Sequence, residues 1–457
     1  MTHIPQALRQ KYLFHATAIS NLESVLTHGL LSPAAQKSHG LTPARIPYIH
    51  QDPNLNNPTL DGHTKEEYVT FYFSRFNPMV FGAVNSKTYD QSSTIYLCLS
   101  INKMAAPDTL FTASATNSPE FPALQSDLSR LDLLDWEAIG STKWHFPTDP
   151  ATHPQMAEAL FLNRVSPTDL DFIIVFDETA KEIVETKLSV LGLNPPCPIV
   201  AATDPTRTPA DCYFRKITMK GREKESIITG PIALRHDFTQ SIKDIIATRH
   251  SAKRTTFAFA DIEDTVSHIR ACFGCLPELK GIEHLATTNA HHWQNVGDHS
   301  ISVAENVRHT EYYLSADHHT RNLLELASYL HDIGKGPAGK WADGKFGIYP
   351  DHPADSIPMM RRILSEDIER LSDEDVRILM LLVTYHDIAG ETISKGRNVS
   401  EIASVVETEN EIDMLFAISE ADISAIKREW REGFIERKPS LKKEIMAFWP
   451  QQSPLID

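Results

Sequence analysis

The stretch NLLELASYLHDIGK, residues 322–335, decides the fold of the C-terminal half of the chain. Its apolar side chains recur at the spacing of an amphipathic helix, at Leu323, Leu326, Ala327 and Leu330. His331 follows Ala327 by four residues, so its imidazole lies at the end of the core-facing stripe. The stretch therefore predicts a helix that carries a histidine into a helical core.

Three further segments place polar side chains of metal-ligand type on apolar faces. Asp422 in LFAISEADISAI follows Ile418 by four residues, where an isolated carboxylate is unfavourable to bury. His386 in LLVTYHDIAG follows Leu382 by four residues, and His299 is expected to open the helix HSISVAENV. Any one such histidine is more often a satisfied core residue than a ligand. The set of histidines and carboxylates together indicates a metal ion.

The ordered pattern H…HD…D, with the extended string HDIGK, resembles the HD superfamily of metal-dependent phosphohydrolases over roughly residues 261–450. The resemblance implies that four side chains bind one divalent ion: His299, His331, Asp332 and Asp422. It also implies that His352 and His386 bind a second ion, with Asp332 bridging the two. This mixture of imidazole and carboxylate suits Mn, Fe, Co, Ni or Zn better than Ca.

Such a site implies hydrolysis of a nucleotide or another phosphoester, because a bound cation lowers the pKa of water and neutralises phosphoryl charge. Lys335 is then expected near the phosphate, although a surface lysine at a helix end explains it equally well. For Asp387 we favour a position at a helix end, or a contact with a ligand, over direct ligation. The other interpretation of this half is a regulatory domain that binds metal or nucleotide without releasing phosphate.

The N-terminal half has a different pattern of apolar and polar residues. Short β-rich runs, VTFYFS (69–74), TIYLCLSI (94–101) and DFIIVFD (171–177), alternate with loops rich in Pro, Asn and Ser. The sequence thus predicts a multidomain chain with an N-terminal α+β domain and a C-terminal all-α domain. We expect the boundaries 1–215 for the first domain, 216–260 for a basic connector and 261–457 for the second. The connector is either a solvated linker helix or a nucleic-acid contact.

Three segments of the N-terminal half carry candidate functional residues. In YLFHATAISNLESVLTHGLLS, His15 and Thr17 are two residues apart and share one face of a strand. Arg75 follows a β-rich run in YVTFYFSRFNPMVFGAV, and Glu158 begins an apolar helix or strand in HPQMAEALFLNRVSP. Taken singly, such an arginine is usually a surface residue and such a glutamate is usually a helix cap.

The order of these segments, with CYF at 212–214, resembles the DarT family of DNA ADP-ribosyltransferases over roughly residues 8–215. The resemblance implies transfer of ADP-ribose from NAD to a nucleic-acid base, which is thymidine in the best-known members. His15 and Thr17 would hold the nicotinamide side of NAD. Arg75 would pair with the phosphates or with the target base, and Glu158 would be the catalytic acid. Tyr72 would line the nicotinamide pocket or stack on a base.

The net charge and the distribution of apolar residues limit the possible functions of the chain. The 457-residue chain has a formal net charge of -16, which argues against adhesion to nucleic acid over the whole surface. It contains no apolar run long enough for a membrane span, so we expect a cytoplasmic protein. The leading hypothesis is a bifunctional toxin or phage-defence enzyme that uses NAD and nucleic acid, with single-stranded DNA favoured over RNA. The alternative makes the N-terminal half a binding module for NAD or nucleic acid, without transferase activity.

Overall fold

A computed structural model of the chain describes most of its residues: 3–46, 52–118, 120–141, 154–202, 212–216, 226–251, 256–288, 294–341, 343–347 and 351–448. The chain divides into two compact units. The first comprises Met1–Asn85 and Tyr89–Phe214, and the second comprises Ser86–Thr88 and Arg215–Asp457. The first unit combines strands with helices and the second is mostly helical, as the sequence predicts.

A seven-stranded mixed sheet forms the centre of the first unit. Its strands are β1 (Tyr12–Ala18), β3 (Tyr68–Tyr72), β4 (Thr94–Ser100), β5 (Leu110–Thr112), β6 (Glu158–Leu162), β8 (Phe172–Val175) and β9 (Ile199–Ala201). Two short strands, β2 (Leu30–Leu31) and β7 (Arg164–Val165), pair with each other beside it. The order in the sheet is β5-β6-β3-β1-β4-β8-β9. All neighbours are antiparallel except β8 and β9. The three β-rich runs of the sequence are thus strands.

Helices cover this sheet and explain why its interior strands are apolar on both faces. They are α1 (Leu22–His28), α2 (Pro33–Ser38), α3 (Pro78–Asn85), α4 (Trp136–Gly140) and α5 (Glu178–Val190). Parallel strands require a crossover connection, and α5 supplies it between β8 and β9. Asp177 begins α5 because its carboxylate accepts a hydrogen bond from the Ala180 backbone N–H at 2.8 Å.

The second unit is a set of helices around one apolar core. Its helices are α6 (Pro231–Ser251), α7 (Ile262–Ala271), α8 (Pro277–Ile282), α9 (Val296–Val307), α10 (Glu311–Ser315), α11 (His318–Leu330), α12 (His352–Glu366), α13 (Asp373–Thr384), α14 (Ile388–Lys395), α15 (Val399–Ala403), α16 (Glu409–Ile426) and α17 (Arg428–Phe448). A short hairpin of β10 (Arg215–Lys216) and β11 (Ser226–Ile227) precedes them. Among the described residues, no helix is both long enough and apolar enough to cross a bilayer.

The segment expected as a basic connector, 216–260, differs from that expectation over its described part. α6 packs into the core of the second unit and buries Leu234, Phe238 and Ile245. Basic residues between these apolar positions make the stripe hard to recognise in the sequence. A further basic residue of α6, Arg249, donates hydrogen bonds to backbone carbonyl groups near the end of α12, at 2.6 to 2.9 Å. Residues 217–225 and 252–255 lie outside the described part of the chain.

One helix boundary also differs. His299 was expected to open its helix, but α9 begins at Val296. The reason is the side chain of Asn295, which accepts a hydrogen bond from the Asp298 backbone N–H at 2.8 Å and so caps the helix three residues earlier. His299 therefore lies in the first turn rather than at the start.

A buried carboxylate joins three segments of the second unit. Glu325 on α11 has no exposed surface. Arg270 on α7 donates two hydrogen bonds of 2.6 Å to its two oxygens. Arg308, which follows α9, donates another from Nε at 3.0 Å. Both guanidinium groups are partly exposed, so the burial penalty falls mainly on the carboxylate.

We predict that Glu325→Ala lowers the free energy of unfolding by about 3 kcal/mol, because two arginines lose their shared partner. The control is Glu305→Ala on α9, an exposed position where we expect a change within about 0.5 kcal/mol. Urea unfolding of the full chain, followed by the helical circular dichroism signal, measures both. Equal transition midpoints for the two variants would contradict the prediction.

Candidate functional site

The first unit contains a cavity of about 430 Å³ beside the middle of its sheet. Four of the five residues that the sequence predicts for the transferase site line this cavity: His15, Thr17, Tyr72 and Glu158. The predicted residues therefore come together although they are spread over more than 140 positions of the sequence. A cavity of this size is typical of small-molecule and cofactor sites.

The strand register explains how these side chains meet. Tyr72, the last residue of β3, pairs with Glu158, the first residue of β6, and also with Phe14 on β1. His15 and Thr17 are two residues apart on β1, so they point to one face of the sheet. The ends of three adjacent strands thus bring the aromatic, the carboxylate and the two polar residues to one place.

Glu158 is buried within the cavity wall, with only 2% of its surface exposed. The hydroxyl of Thr116 donates a hydrogen bond of 2.6 Å to its carboxylate. Burial raises the pKa of Glu158 to about 7, although the Lys65 charge and the Thr116 hydrogen bonds oppose this rise. The structure therefore excludes a solvated helix cap and places a carboxyl group that titrates near neutral pH.

His15 and Thr17 are both held in fixed orientations. Because a carbonyl can only accept, His15 Nδ1–H donates to the Thr70 carbonyl oxygen at 2.7 Å, which fixes the tautomer of the neutral ring. Thr17 Oγ1 accepts a hydrogen bond of 2.9 Å from the side-chain amide of Asn21. Asn21 also bonds both backbone groups of Ala44, at 2.8 Å each, and so ties the following loop to the cavity.

Tyr72 and Arg75 have different surroundings. Tyr72 is buried, and this burial together with the nearby Glu158 charge raises the pKa of its hydroxyl well above the usual value. Arg75 does not line the cavity, and its guanidinium lies over the Phe76 ring at 4.7 Å from the centroid. The arginine that does line the cavity is Arg45.

Lys65 is a cavity residue that sequence reasoning missed. Its side chain is only 4% exposed, and its ammonium group donates a 2.6 Å hydrogen bond to the Thr70 hydroxyl. It also lies 3.9 Å from the carboxylate of Asp52, which lines the same cavity. In the sequence, Lys65 stands in the polar string HTKEE, which is typical of a solvated turn. Only the pairing of β3 with its neighbours could have shown that this lysine points inward.

The second unit brings together all six side chains that the sequence predicts as metal ligands. Asp332 has no exposed surface, and none of the other five exceeds 8%. His299 Nε2 lies 2.8 Å from Asp422 Oδ1, and His331 Nε2 lies 3.3 Å from Asp332 Oδ2. On the other side of Asp332, its Oδ1 lies 3.5 Å from His352 Nε2 and 3.9 Å from His386 Nε2. Asp332 therefore stands between two groups of ligand atoms.

The two central histidines are oriented by their own backbone. His331 Nδ1–H donates to the Ser328 carbonyl at 2.7 Å, and His386 Nδ1–H donates to the Val383 carbonyl at 2.9 Å. Each Nε2 therefore points to the centre of the cluster, where it can offer a lone pair to a cation. Within the described residues, His331 Nε2 and Asp332 Oδ1 are buried atoms without a hydrogen-bond partner. Buried polar atoms of this kind fit a metal ion.

The glycine of the HDIGK string has a steric role. A Cβ atom on Gly334 would lie 2.0 Å from the carbonyl oxygen of His352. Instead, the Gly334 N–H donates to Ser356 Oγ at 3.1 Å, so the turn after α11 packs directly against the first turn of α12. This close approach brings His352 to Asp332.

Lys335 and Asp387 also border the cluster. The Lys335 ammonium donates to Asp332 Oδ2 at 2.6 Å, and its side chain is 12% exposed, so it is not a free surface lysine. Burial would raise the pKa of Asp332, but the charges of His331 and Lys335 outweigh it and hold the pKa well below the usual range. Asp387 lies at the start of α14, as expected, with its Oδ2 3.3 Å from His352 Nε2.

Comparison with known proteins finds a similar family for the first unit. Residues 14–203 match the family model described as ssDNA thymidine ADP-ribosyltransferase, DarT. The match begins in β1, contains all five residues predicted for the transferase site, and ends before Arg215, where the main part of the second unit begins. Residues 14–203 are therefore similar to the DarT family, as the sequence resemblance implies.

Two sequence relatives agree with this match. A protein of Thermus aquaticus named DNA ADP-ribosyl transferase is 26% identical over 139 residues, which are 29% of this chain and 62% of the relative. The chain thus spans about three fifths of that relative's length. A protein of the same name from Thermus sp. strain 2.9 is 28% identical over 164 residues, 33% of this chain and 73% of the relative. Among solved structures, Thermus sp. 2.9 DarT in complex with ADP-ribosylated ssDNA is 23% identical in sequence to this chain, with a TM-score of 0.36. The aligned region covers 44% of this chain and 97% of that chain.

The buried Glu158 makes stability depend on pH. Its pKa rises from 4.5 in the unfolded chain to about 7 in the folded one. The folded state therefore binds the proton more tightly, and the stabilisation is present at low pH and lost as the pH rises toward 7. We predict that, between pH 5 and pH 8, wild type loses about 3 kcal/mol of unfolding free energy relative to Glu158→Gln. Chemical unfolding of both proteins across this range measures the difference, and parallel pH profiles would contradict it.

Proposed function

We propose that the first unit transfers ADP-ribose from NAD to a base in single-stranded DNA, thymidine being the favoured acceptor. The observation that carries the proposal is the buried Glu158 carboxyl group in a cavity shared with His15, Thr17 and Tyr72, inside the DarT match. The names of the relatives, DNA ADP-ribosyl transferases, support the same reaction.

In this reaction the bond between the ribose C1′ and the nicotinamide nitrogen breaks, and a bond from C1′ to the base forms. Positive charge develops on the ribose in between, and a carboxylate beside the ribose hydroxyl stabilises it. Glu158 suits this role because a group with a pKa near 7 is substantially ionised at neutral pH. The base loses a proton as it attacks, and nicotinamide leaves.

The other cavity residues bind and orient the two substrates. The fixed ring of His15 and the hydroxyl of Thr17 hold the nicotinamide side of NAD, and Tyr72 lines the same pocket. Arg75 stands outside the cavity, stacked on Phe76, which favours a contact with the target strand over one with the NAD phosphates. Arg45, at the cavity wall, supplies a guanidinium for the pyrophosphate instead.

We predict that Glu158→Gln lowers transfer to single-stranded DNA by about 10²–10³-fold while NAD binding persists, since only the charge that stabilises the transition state is removed. The assay incubates the full chain with NAD and labelled oligonucleotides of DNA or RNA, with and without thymidine, and follows nicotinamide release in parallel. Glu178→Gln, an exposed carboxylate in the first turn of α5, is the matched control and should transfer normally.

Absence of transfer by wild type would contradict the proposal, as would equal rates for wild type and Glu158→Gln. If NAD binds while neither nicotinamide release nor transfer occurs, the first unit is a binding module. Transfer to RNA alone would correct the acceptor class.

We further propose that the second unit is a metal-dependent phosphohydrolase of the HD type, acting on a nucleotide or another phosphoester. The supporting observation is the cluster around Asp332, with inward Nε2 atoms of His331 and His386 and a buried Asp332 Oδ1 without a hydrogen-bond partner among the described residues. The donor set fits divalent Mn, Fe, Co, Ni or Zn. The proposed ligands are His299, His331, Asp332 and Asp422 for one ion, and His352, His386 and the bridging Asp332 for the other.

A divalent cation in this site would supply charge neutralisation at a phosphoryl oxygen and hydroxide near neutral pH. The chain's own residues orient the reaction. Lys335 already lies against Asp332 and can turn to a phosphate oxygen at the cluster, because 12% of its side chain is exposed.

A chain that modifies DNA and hydrolyses a phosphoester fits a toxin or phage-defence role in the cytoplasm, where NAD and DNA are both present.

We predict that Asp332→Ala removes the bound metal from the purified full chain and abolishes phosphate release, because both groups of ligands lose their shared carboxylate. Elemental analysis measures the metal, and a panel of nucleotides and phosphoesters measures the release. Asp298→Ala, an exposed carboxylate next to His299, is the control and should keep the metal. Wild type that binds metal or nucleotide but releases no phosphate would instead identify a regulatory domain.

A further inference from the structure

One set of distances in the second unit departs from the ligand arrangement that the sequence suggests. Asp387 was expected to stay outside the metal shell, yet its Oδ2 lies 3.3 Å from His352 Nε2 and 3.4 Å from His386 Nε2. The two nitrogens are 3.3 Å apart. The three atoms therefore form a nearly equilateral triangle, and the side chain of Asp387 is still 30% exposed.

The size of this triangle fits three ligand atoms of one metal ion. Bonds of about 2.0–2.2 Å to the corners of a tetrahedron place neighbouring ligand atoms about 3.3–3.6 Å apart. An octahedral ion with bonds of about 2.1 Å places them about 3.0 Å apart. The edges of 3.3 and 3.4 Å match one face of a tetrahedron.

Asp332 offers a further ligand atom close to this triangle. Its Oδ1 lies 3.5 Å from His352 Nε2 and 3.9 Å from His386 Nε2. It is one of the buried atoms that have no hydrogen-bond partner within the described residues. The two imidazoles and Asp387 therefore form one group of ligand atoms, and Asp332 Oδ1 lies near both imidazoles.

We propose that Asp387 is a direct ligand of the second ion, together with His352, His386 and Asp332. This proposal rests on the proposed metal-dependent function of the unit. Four protein ligands of the imidazole and carboxylate type favour a four-coordinate ion such as Zn²⁺.

The other side of Asp332 holds the ligands proposed for the first ion. His299, His331 and Asp422 offer three ligand atoms that lie close together. The second oxygen of Asp332 is shared with the Lys335 ammonium at 2.6 Å. Asp387 groups with His352 and His386 rather than with these three residues, so its removal should affect one ion only.

The test compares the metal content of full-length wild type, Asp387→Asn and His352→Gln, each loaded with Zn²⁺ and then dialysed against a weak chelator. We expect wild type to retain both ions and each variant to lose the same single ion. The double variant should lose no more than either single variant, because both residues bind one ion. Asp298→Asn, an exposed carboxylate beside a ligand histidine, is the matched control and should retain both ions.

A second measurement reports coordination directly. In protein loaded with Co²⁺, a four-coordinate site gives intense visible absorption, which wild type and Asp298→Asn should show and Asp387→Asn should lose in large part. The far-ultraviolet circular dichroism of each variant confirms that the fold is intact. Full zinc content and an unchanged cobalt spectrum in Asp387→Asn would overturn the proposal. Two retained ions and a four-coordinate spectrum in a wild type without phosphate release would uphold this site while contradicting the proposed hydrolase.

Discussion

The first unit is organised around a buried carboxyl group in the wall of its cavity. Glu158 begins an interior strand, so its side chain points into the cavity rather than to solvent. An isolated carboxylate in such a place is strongly disfavoured. The hydroxyl of Thr116 and the charge of Lys65 offset part of the cost of burying this carboxylate. The resulting pKa of about 7 means that the group titrates near neutral pH. A site that only had to be stable would place an apolar residue here, so the buried acid indicates chemistry.

The second unit also contains a buried carboxylate, but its surroundings are different. Asp332 is as deeply buried as Glu158, but it is surrounded by imidazoles and by Lys335 rather than by hydroxyl groups. The pKa of Asp332 is therefore held well below its usual value, whereas that of Glu158 is raised to about 7. A carboxylate between two groups of Nε2 atoms suits metal binding, and a carboxyl group with a pKa near 7 suits the transient charge of a glycosyl transfer.

Much of this could be predicted from the sequence, because the informative residues lie in strongly periodic or strongly apolar segments. His331, Asp332 and Asp422 stand out because a helix stripe predicts which way they point. His15 stands out because it interrupts an apolar strand, and Glu158 stands out because it begins one. Lys65 could not be predicted, since a lysine among threonine and glutamates resembles any solvated turn.

Two other features of the second unit could not be predicted from a short stretch of sequence, because they depend on how distant segments pack together. The ligand role proposed for Asp387 depends on a triangle between two helix ends that are more than 30 residues apart in the sequence. The packing of α6 depends on three buried apolar positions that basic residues separate.

The central claim is that the chain modifies DNA through Glu158, and the most direct measurement is mass spectrometry of DNA recovered from cells that express it. DNA from cells with wild type should contain a base that carries ADP-ribose, with thymidine as the expected acceptor. DNA from cells with Glu158→Gln at equal expression should lack it. Unmodified DNA in both samples, or the same adduct in both, would contradict the account.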